Sequence, residues 1–210
     1  MASPRRALIV IDAQQEYFDG LLPIAYPARE HSVAQIGRAL DIAGAQDLPV
    51  VVVQHELPSQ APVFAAGSAT WELHSTVAER APADAKRVTK QLSSVFAGTD
   101  VAAWLAELGV DTVTLVGYMT NNCVLATAAG AEELGLTVEV LSDATGAIHL
   151  ANEAGKVSAE QLHTTLMVLL QSNWAAVADT DAWSAAVTAG SAIDRSDLGS
   201  SAAQGAAAFG

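Results

Sequence analysis

Cysteine, aromatic residues and positive charge are all scarce in this chain. One of its 210 residues is a cysteine, Cys123, so no intrachain disulfide can form and a disulfide-built scaffold is excluded. Ten Lys and Arg stand against 23 Asp and Glu, a net charge of -13 that repels a phosphate backbone or an anionic membrane; neither nucleic acid nor membrane is expected as a partner. Long apolar runs are missing too. The run that follows Arg5 and Arg6 stops at Asp12, too soon for a secretory leader or a membrane span, and with the lone thiol this points to a cytoplasmic protein. What the chain has is apolar bulk: 51% hydrophobic residues at this length are enough to bury one sizeable core, which excludes a disordered protein.

Four short runs rich in Val, Ile and Leu read as strands buried on both faces: 7–11, 50–53, 112–116 and 137–141, with weaker candidates at 87–90 and 175–178. Between them, segments 29–45, 100–108, 121–134, 151–170 and 179–187 carry helical spacing. Thr99 and Asp100 offer N-caps, and Gly109 and Gly135 stand where a helix ends. The alternation predicts an α/β fold: a doubly wound, mostly parallel six-stranded sheet with helices on both faces, whose ligands bind beyond the carboxyl ends of the strands. Residues 1–188 form the predicted domain, and the Gly, Ala and Ser-rich stretch 189–210 reads as a flexible tail.

The few aromatics are not scattered. Tyr17, Phe18, Tyr26, Phe64 and Trp71 fall in two long connections, 14–28 and 54–86, that also hold Pro23, Pro27, Pro58, Pro62 and Pro82. Loops of that length serve as lids or pocket walls, or else as surface cover. Tyr17, His55, Phe64, Trp71 and Tyr118 are the candidate pocket residues.

Three side chains at strand ends could carry chemistry. Asp12 ends the first strong strand, where a carboxylate is costly unless paired; the alternative is a solvated Asx turn. Lys90 follows a weak strand and by itself reads as solvated. Cys123 sits at a strand-to-helix turn, where unpaired amides and the helix dipole favour a thiolate, although a lone cysteine also serves as a small buried hydrophobe. Together they supply a nucleophile, an acceptor for its proton and a cation to hold the charge. His31, His149 and His163 read as structural or surface residues, and Trp104, Trp174 and Trp183 as packing.

In order along the chain, IVIDAQQEYF, VVVQHELP, GSATWELH, VTKQLSSVFAGTD, GYMTNNCV and VEVLSDAT resemble the isochorismatase-like cysteine hydrolase family, over roughly residues 5 to 187. The resemblance implies a catalytic triad of Asp12, Lys90 and Cys123, with a cis peptide between Tyr118 and Met119 and an oxyanion hole from the amides of Met119 and Cys123. It implies hydrolysis of an amide or lactam C–N bond in a small molecule through an acyl-enzyme, with no cofactor, in a dimer or tetramer. The metal-binding nicotinamidase branch is disfavoured because Val53 stands where its Asp-x-His pair needs a carboxylate, which leaves His55 and His74 as a poor ligand set. True isochorismatases tend to lack the nucleophilic cysteine, so Cys123 points to acyl transfer. Loop similarity places the chain nearest the metal-independent, streptothricin hydrolase-like subgroup, whose polycationic substrates an acidic surface attracts. The alternatives are a nicotinamidase-like amidase and a catalytically idle binding or redox protein on the same scaffold.

Overall fold

The structure is a computed structural model and describes residues 3–210. Its six-stranded sheet runs β3 (Lys86–Lys90), β2 (Val50–His55), β1 (Arg6–Ile11), β4 (Thr112–Tyr118), β5 (Thr137–Gly146) and β8 (Ala176–Ala178), and every neighbouring pair is parallel. Alternation along the strands sorts side chains onto two faces. Leu8, Val10, Val50, Val52 and Val116 pack with α1 (Arg29–Ala45) and α6 (Thr180–Ala189) on one side. Ala7, Ile9, Ile11, Val51, Val53, Val113 and Leu115 pack with α3 (Val101–Glu107), α4 (Leu125–Glu133) and α5 (Ala159–Asn173) on the other. Because both faces are covered there, β1, β2 and β4 and the first part of β5 read as near-continuous apolar runs, while edge strand β3 does not.

The chain winds outward from β1 to β3 in one direction and from β4 to β8 in the other. The reversal falls between β1 and β4, and there the crossover connections on opposite faces leave a crevice at the carboxyl ends. Gly117 shapes that crevice. It lies opposite Ile11 with φ 104, and a Cβ there would collide with the Ile11 carbonyl oxygen, so only glycine lets the two strands approach this closely.

Several expectations need correction. The helix expected over 151–170 is a hairpin of β6 (Leu150–Asn152) and β7 (Gly155–Val157) followed by α5. Asn152 turns the chain by accepting from the Ala154 amide at 2.9 Å, and the helix starts only at the capping box of Ser158 and Gln161. The helix expected over 121–134 begins as a π-type turn, Thr120–Val124, before α4. The connection 54–86 contains α2 (Ser75–Arg80), which the sequence did not announce because its cap is the ring of His74, accepting from the Thr76 amide at 3.2 Å. Asp100 does not cap α3, since its carboxylate bonds Lys86 instead. Within the stretch expected to be a tail, Asp197 caps a helix, α7 (Leu198–Phe209), none of whose residues is buried. Gly109 and Gly135 both adopt φ 67 at helix ends, as expected. Among the described residues, no helix is long and apolar enough to cross a membrane.

Candidate active site

Asp12, Lys90 and Cys123 come from three strand ends and meet in the crevice. Asp12 follows β1 and holds φ 49, a left-handed conformation that costs a non-glycine residue about 1–3 kcal/mol and persists only where its surroundings impose it. Lys90 is the last residue of β3, and Cys123 lies in the π-type turn after β4. All three are buried. The Lys90 Nζ stands 2.7 Å from Asp12 Oδ2, donates to Cys123 Sγ at 3.2 Å and lies 3.1 Å from His55 Nδ1.

An ammonium only donates, so His55 must accept through a bare Nδ1 and carry its proton on Nε2. Burial, then the neighbouring Lys90 charge, pushes the imidazole down to about 4, so the ring is neutral around pH 7. Although Lys90 is close to Asp12, neither carboxylate oxygen finds a hydrogen bond of acceptable angle among the described residues; the contact is a charge pair rather than an aligned bond. Burial accordingly raises the Asp12 pKa against the pull of Lys90. The Cys123 thiol is pushed up to about 12, first by burial and then by the Asp12 charge, with Lys90 opposing.

The resting group is therefore a thiol beside a carboxylate. The thiolate expected from a helix start is disfavoured, because burial in an irregular turn and then the Asp12 charge push the thiol pKa up. What the arrangement provides is a proton acceptor strengthened by burial and a cation placed to hold a sulfur anion as it forms. A Cys–His–Asp relay through His55 is disfavoured, because the lone pair it would need is already bonded to Lys90.

Donor atoms of Asp12, His55 and Cys123 lie within 4.8 Å of one another, a spacing that could hold a metal ion. Lys90 Nζ stands within hydrogen-bonding range of Cys123 and His55 and in contact with Asp12, so its positive charge fills the place a metal would take. His74 contributes nothing to that cluster; it caps α2 and packs its ring 4.3 Å from that of Phe18.

Four of the five candidate pocket residues form a chain of rings. His55 lies 5.0 Å from Phe64, Phe64 5.4 Å from Tyr17, and Tyr17 5.3 Å from Tyr118. Tyr118 is tied inward, its hydroxyl 2.8 Å from that of Ser32 on α1. Trp71 joins through its backbone instead, and its buried indole nitrogen has no partner among the described residues. The peptide between Tyr118 and Met119 is cis, as the resemblance implies.

One residue the sequence did not single out organises this wall. The buried amide of Gln14 accepts from the His55 amide at 2.8 Å and donates to the carbonyls of His55 and Trp71 at 3.0 and 2.7 Å, mimicking a peptide group between β2 and the loop. Its position two residues after Asp12 was the only signal, and a strand-end glutamine is not informative without its partners.

Residues 6–182 match the model of the isochorismatase domain. The chain is similar to a secreted isochorismatase effector of Verticillium dahliae, 36% identical over 140 residues, covering 66% of this chain and 71% of the relative. It is also similar to a maleamate amidohydrolase of Pseudomonas putida, 30% identical over 158 residues, covering 68% and 73%. Among solved structures, a candidate isochorismatase from Burkholderia xenovorans superposes with a TM-score of 0.96 at 49% identity, covering 99% of both chains. The domain match spans the sheet, the crevice and all three clustered side chains, and on that ground this chain belongs to the isochorismatase family.

Proposed function

We propose that this chain is a cysteine-dependent hydrolase of C–N bonds in small molecules, with Cys123 as nucleophile, Asp12 as base and Lys90 as the cation that holds the charge. The observation that carries this reading is the enclosure of a single thiol between a buried ammonium at 3.2 Å and a buried carboxylate of raised pKa. As substrate binds, the thiol proton passes to Asp12 and sulfur forms a bond to the amide carbon. The carbonyl oxygen becomes an oxyanion, received by the amides of Met119 and Cys123. The C–N bond breaks as Asp12 returns the proton to the departing nitrogen, leaving a thioester. Water then gives its proton to Asp12 and attacks the thioester, and sulfur leaves with that proton as the thiol.

The maleamate amidohydrolase relative supports a simple amide as substrate. Opening of a streptothricin-type lactam is the same chemistry with the nitrogen still tethered, and the acidic chain would draw such a cation in. Tyr17, His55, Phe64, Trp71 and Tyr118 form the pocket in this reading. Residues 1–188 make up the catalytic unit, 189–210 are an appendage to it, no cofactor is required, and the protein works in the cytoplasm as a dimer or tetramer. Light scattering tests the assembly.

The functional test is a panel of small amides, nicotinamide included, and lactams, followed by product release and by intact mass of the protein. Turnover of one class, with a trapped adduct on Cys123 and loss of turnover in Cys123→Ala, is the expected result. A Cys123→Ala protein that turns over normally, or ligand binding to the wild type with no product, overturns it.

A further inference from the structure

The turn that carries Cys123 is tied to helix α5 by a side-chain bridge that the chemistry above does not use. Thr120, the first residue of the turn, places its hydroxyl 3.0 Å from Nδ1 of His163, and the other ring nitrogen of His163 lies 3.0 Å from the Ser142 carbonyl on β5. Both Thr120 and His163 are buried. A carbonyl oxygen can only accept, so Nε2 of His163 carries the proton; burial holds the ring neutral, so Nδ1 is bare and the threonine hydroxyl is the donor. Every hydrogen-bonding atom of the imidazole is thus used in one direction, from Thr120 through the ring to Ser142. The ring is held edge-on against Tyr26, 5.6 Å between centroids, and lines one wall of a cavity of about 390 Å³ with Tyr26, His31 and Asp143.

The turn has little regular bonding of its own. It is a single π-type turn rather than regular helix, and two amides, those of Asn122 and Val124, converge on the Met119 carbonyl at 3.1 Å each. A π-type turn lacks the regular bonding of an α-helix, so a side-chain bond from outside can set its position. Of the hydrogen bonds from the side chains of Thr120–Val124, the one to α5 is made by a neutral ring that is itself anchored to the sheet.

We propose that His163 is a positioning residue: through Thr120 it fixes the turn that aims Cys123 and its neighbouring amides, without touching substrate. The claim rests on the hydrolase reading only for its kinetic readout. A shift of the turn by a fraction of an ångström leaves the pocket wall on β2 and the loop after it in place, so the loss falls on the chemical step rather than on substrate binding.

The test is a set of single and double variants, measured for kcat and KM on an amide that the wild type turns over and for alkylation of Cys123 by iodoacetamide, which needs no substrate. His163→Leu and Thr120→Val should each lower kcat by about 10- to 100-fold with KM within about 3-fold, and the double variant should be no worse than either single one. His163→Asn, which keeps an acceptor near the position of Nδ1, and Thr120→Ser, which keeps the hydroxyl, should recover most of the loss. In the alkylation assay the two disruptive variants should change the rate in the same direction, and the two conservative ones should return it toward that of the wild type.

Folded His163→Leu and Thr120→Val proteins with wild-type kcat, additive losses in the double variant, or a loss confined to KM would each overturn the proposal. If the wild type turns over no amide or lactam, the hydrolase reading fails, and the alkylation pattern alone then decides the tether: coordinated change with conservative recovery upholds it, and unchanged rates overturn it.

Discussion

Two buried ion pairs sit at opposite ends of the same sheet, and they are built differently. At the amino end, Arg6 of β1 meets Glu139 of β5 with the side chains 2% and 3% exposed; at the carboxyl end, Lys90 meets Asp12 with both at 0%. Around Glu139 everything is bonded. Arg6 Nε donates at 3.1 and 3.0 Å and Nη2 at 2.7 Å, while Thr114 and the indole of Trp183 supply donors to Oε2 at 2.8 and 3.1 Å. Arg6 uses its remaining reach on the Ser191 carbonyl at 2.6 Å. Around Asp12 neither oxygen has an aligned donor among the described residues. A buried charge repays its desolvation only through good geometry and extra hydrogen bonds. The Arg6 pair meets that condition and is a fastening. The Lys90 pair is built otherwise: Lys90 divides itself among Asp12, His55 and Cys123, and burial raises the Asp12 pKa against its pull.

The sharpest break in the comparison is the largest effect. Asp12→Asn should lower kcat by about 10⁴-fold while the protein stays folded, as read by steady-state kinetics beside a far-UV spectrum. Arg6→Met at the other end should do the reverse. It strands Glu139 in the core and should cost about 3–5 kcal/mol of stability in urea titration, with kcat of the remaining folded protein unchanged. The double replacement Asp12→Leu with Lys90→Met removes both buried charges, although it also takes the donor from His55 Nδ1, and should be neutral or stabilising by about 1–4 kcal/mol in the same titration, with activity abolished. A loss of stability there would mean that the active pair is also a fastening.

A finer test uses the single thiol. Alkylation of Cys123 in the free protein should rise only at alkaline pH, with an apparent pKa well above that of an ordinary thiol. Asp12 raises that pKa and Lys90 lowers it, so Asp12→Asn should move the profile to lower pH and Lys90→Met to higher pH. Opposite shifts confirm that two charges of opposite sign flank the sulfur; parallel shifts would break the picture. During turnover Asp12 must be ionised to accept the proton, so activity should fall on acidification through its raised pKa, at a higher pH than an ordinary aspartate would dictate.

The parts of the molecule differ in how far the sequence exposed them. Asp12 and Cys123 were legible because they stand just past apolar strands, where an α/β sheet of this winding forms its crevice, whereas Lys90, at the end of a weak strand, was singled out by the family resemblance. The direction of the thiol pKa was not legible, since helix-start amides argue for a thiolate while burial and the neighbouring carboxylate argue more strongly against it. His55 was visible as a loop residue, but its neutral tautomer exists only because Lys90 arrives from another strand. The Gln14 bridge and the His163 tether join residues 41 and 43 positions apart, and nothing local distinguishes such a glutamine or histidine from a surface one. The hairpin at 150–157 was not legible because helical spacing over 151–170 hides the turn chemistry of Asn152 and Gly155.

By itself the sequence determined what local pattern and composition can determine: apolar bulk enough for a buried core, βα alternation, a parallel sheet, three side chains near strand ends that could carry chemistry, and an excess of acidic residues. The tertiary structure decided the protonation states and the aim of the site, because desolvation, opposing charges and aligned donors depend on groups that the chain brings together from far apart.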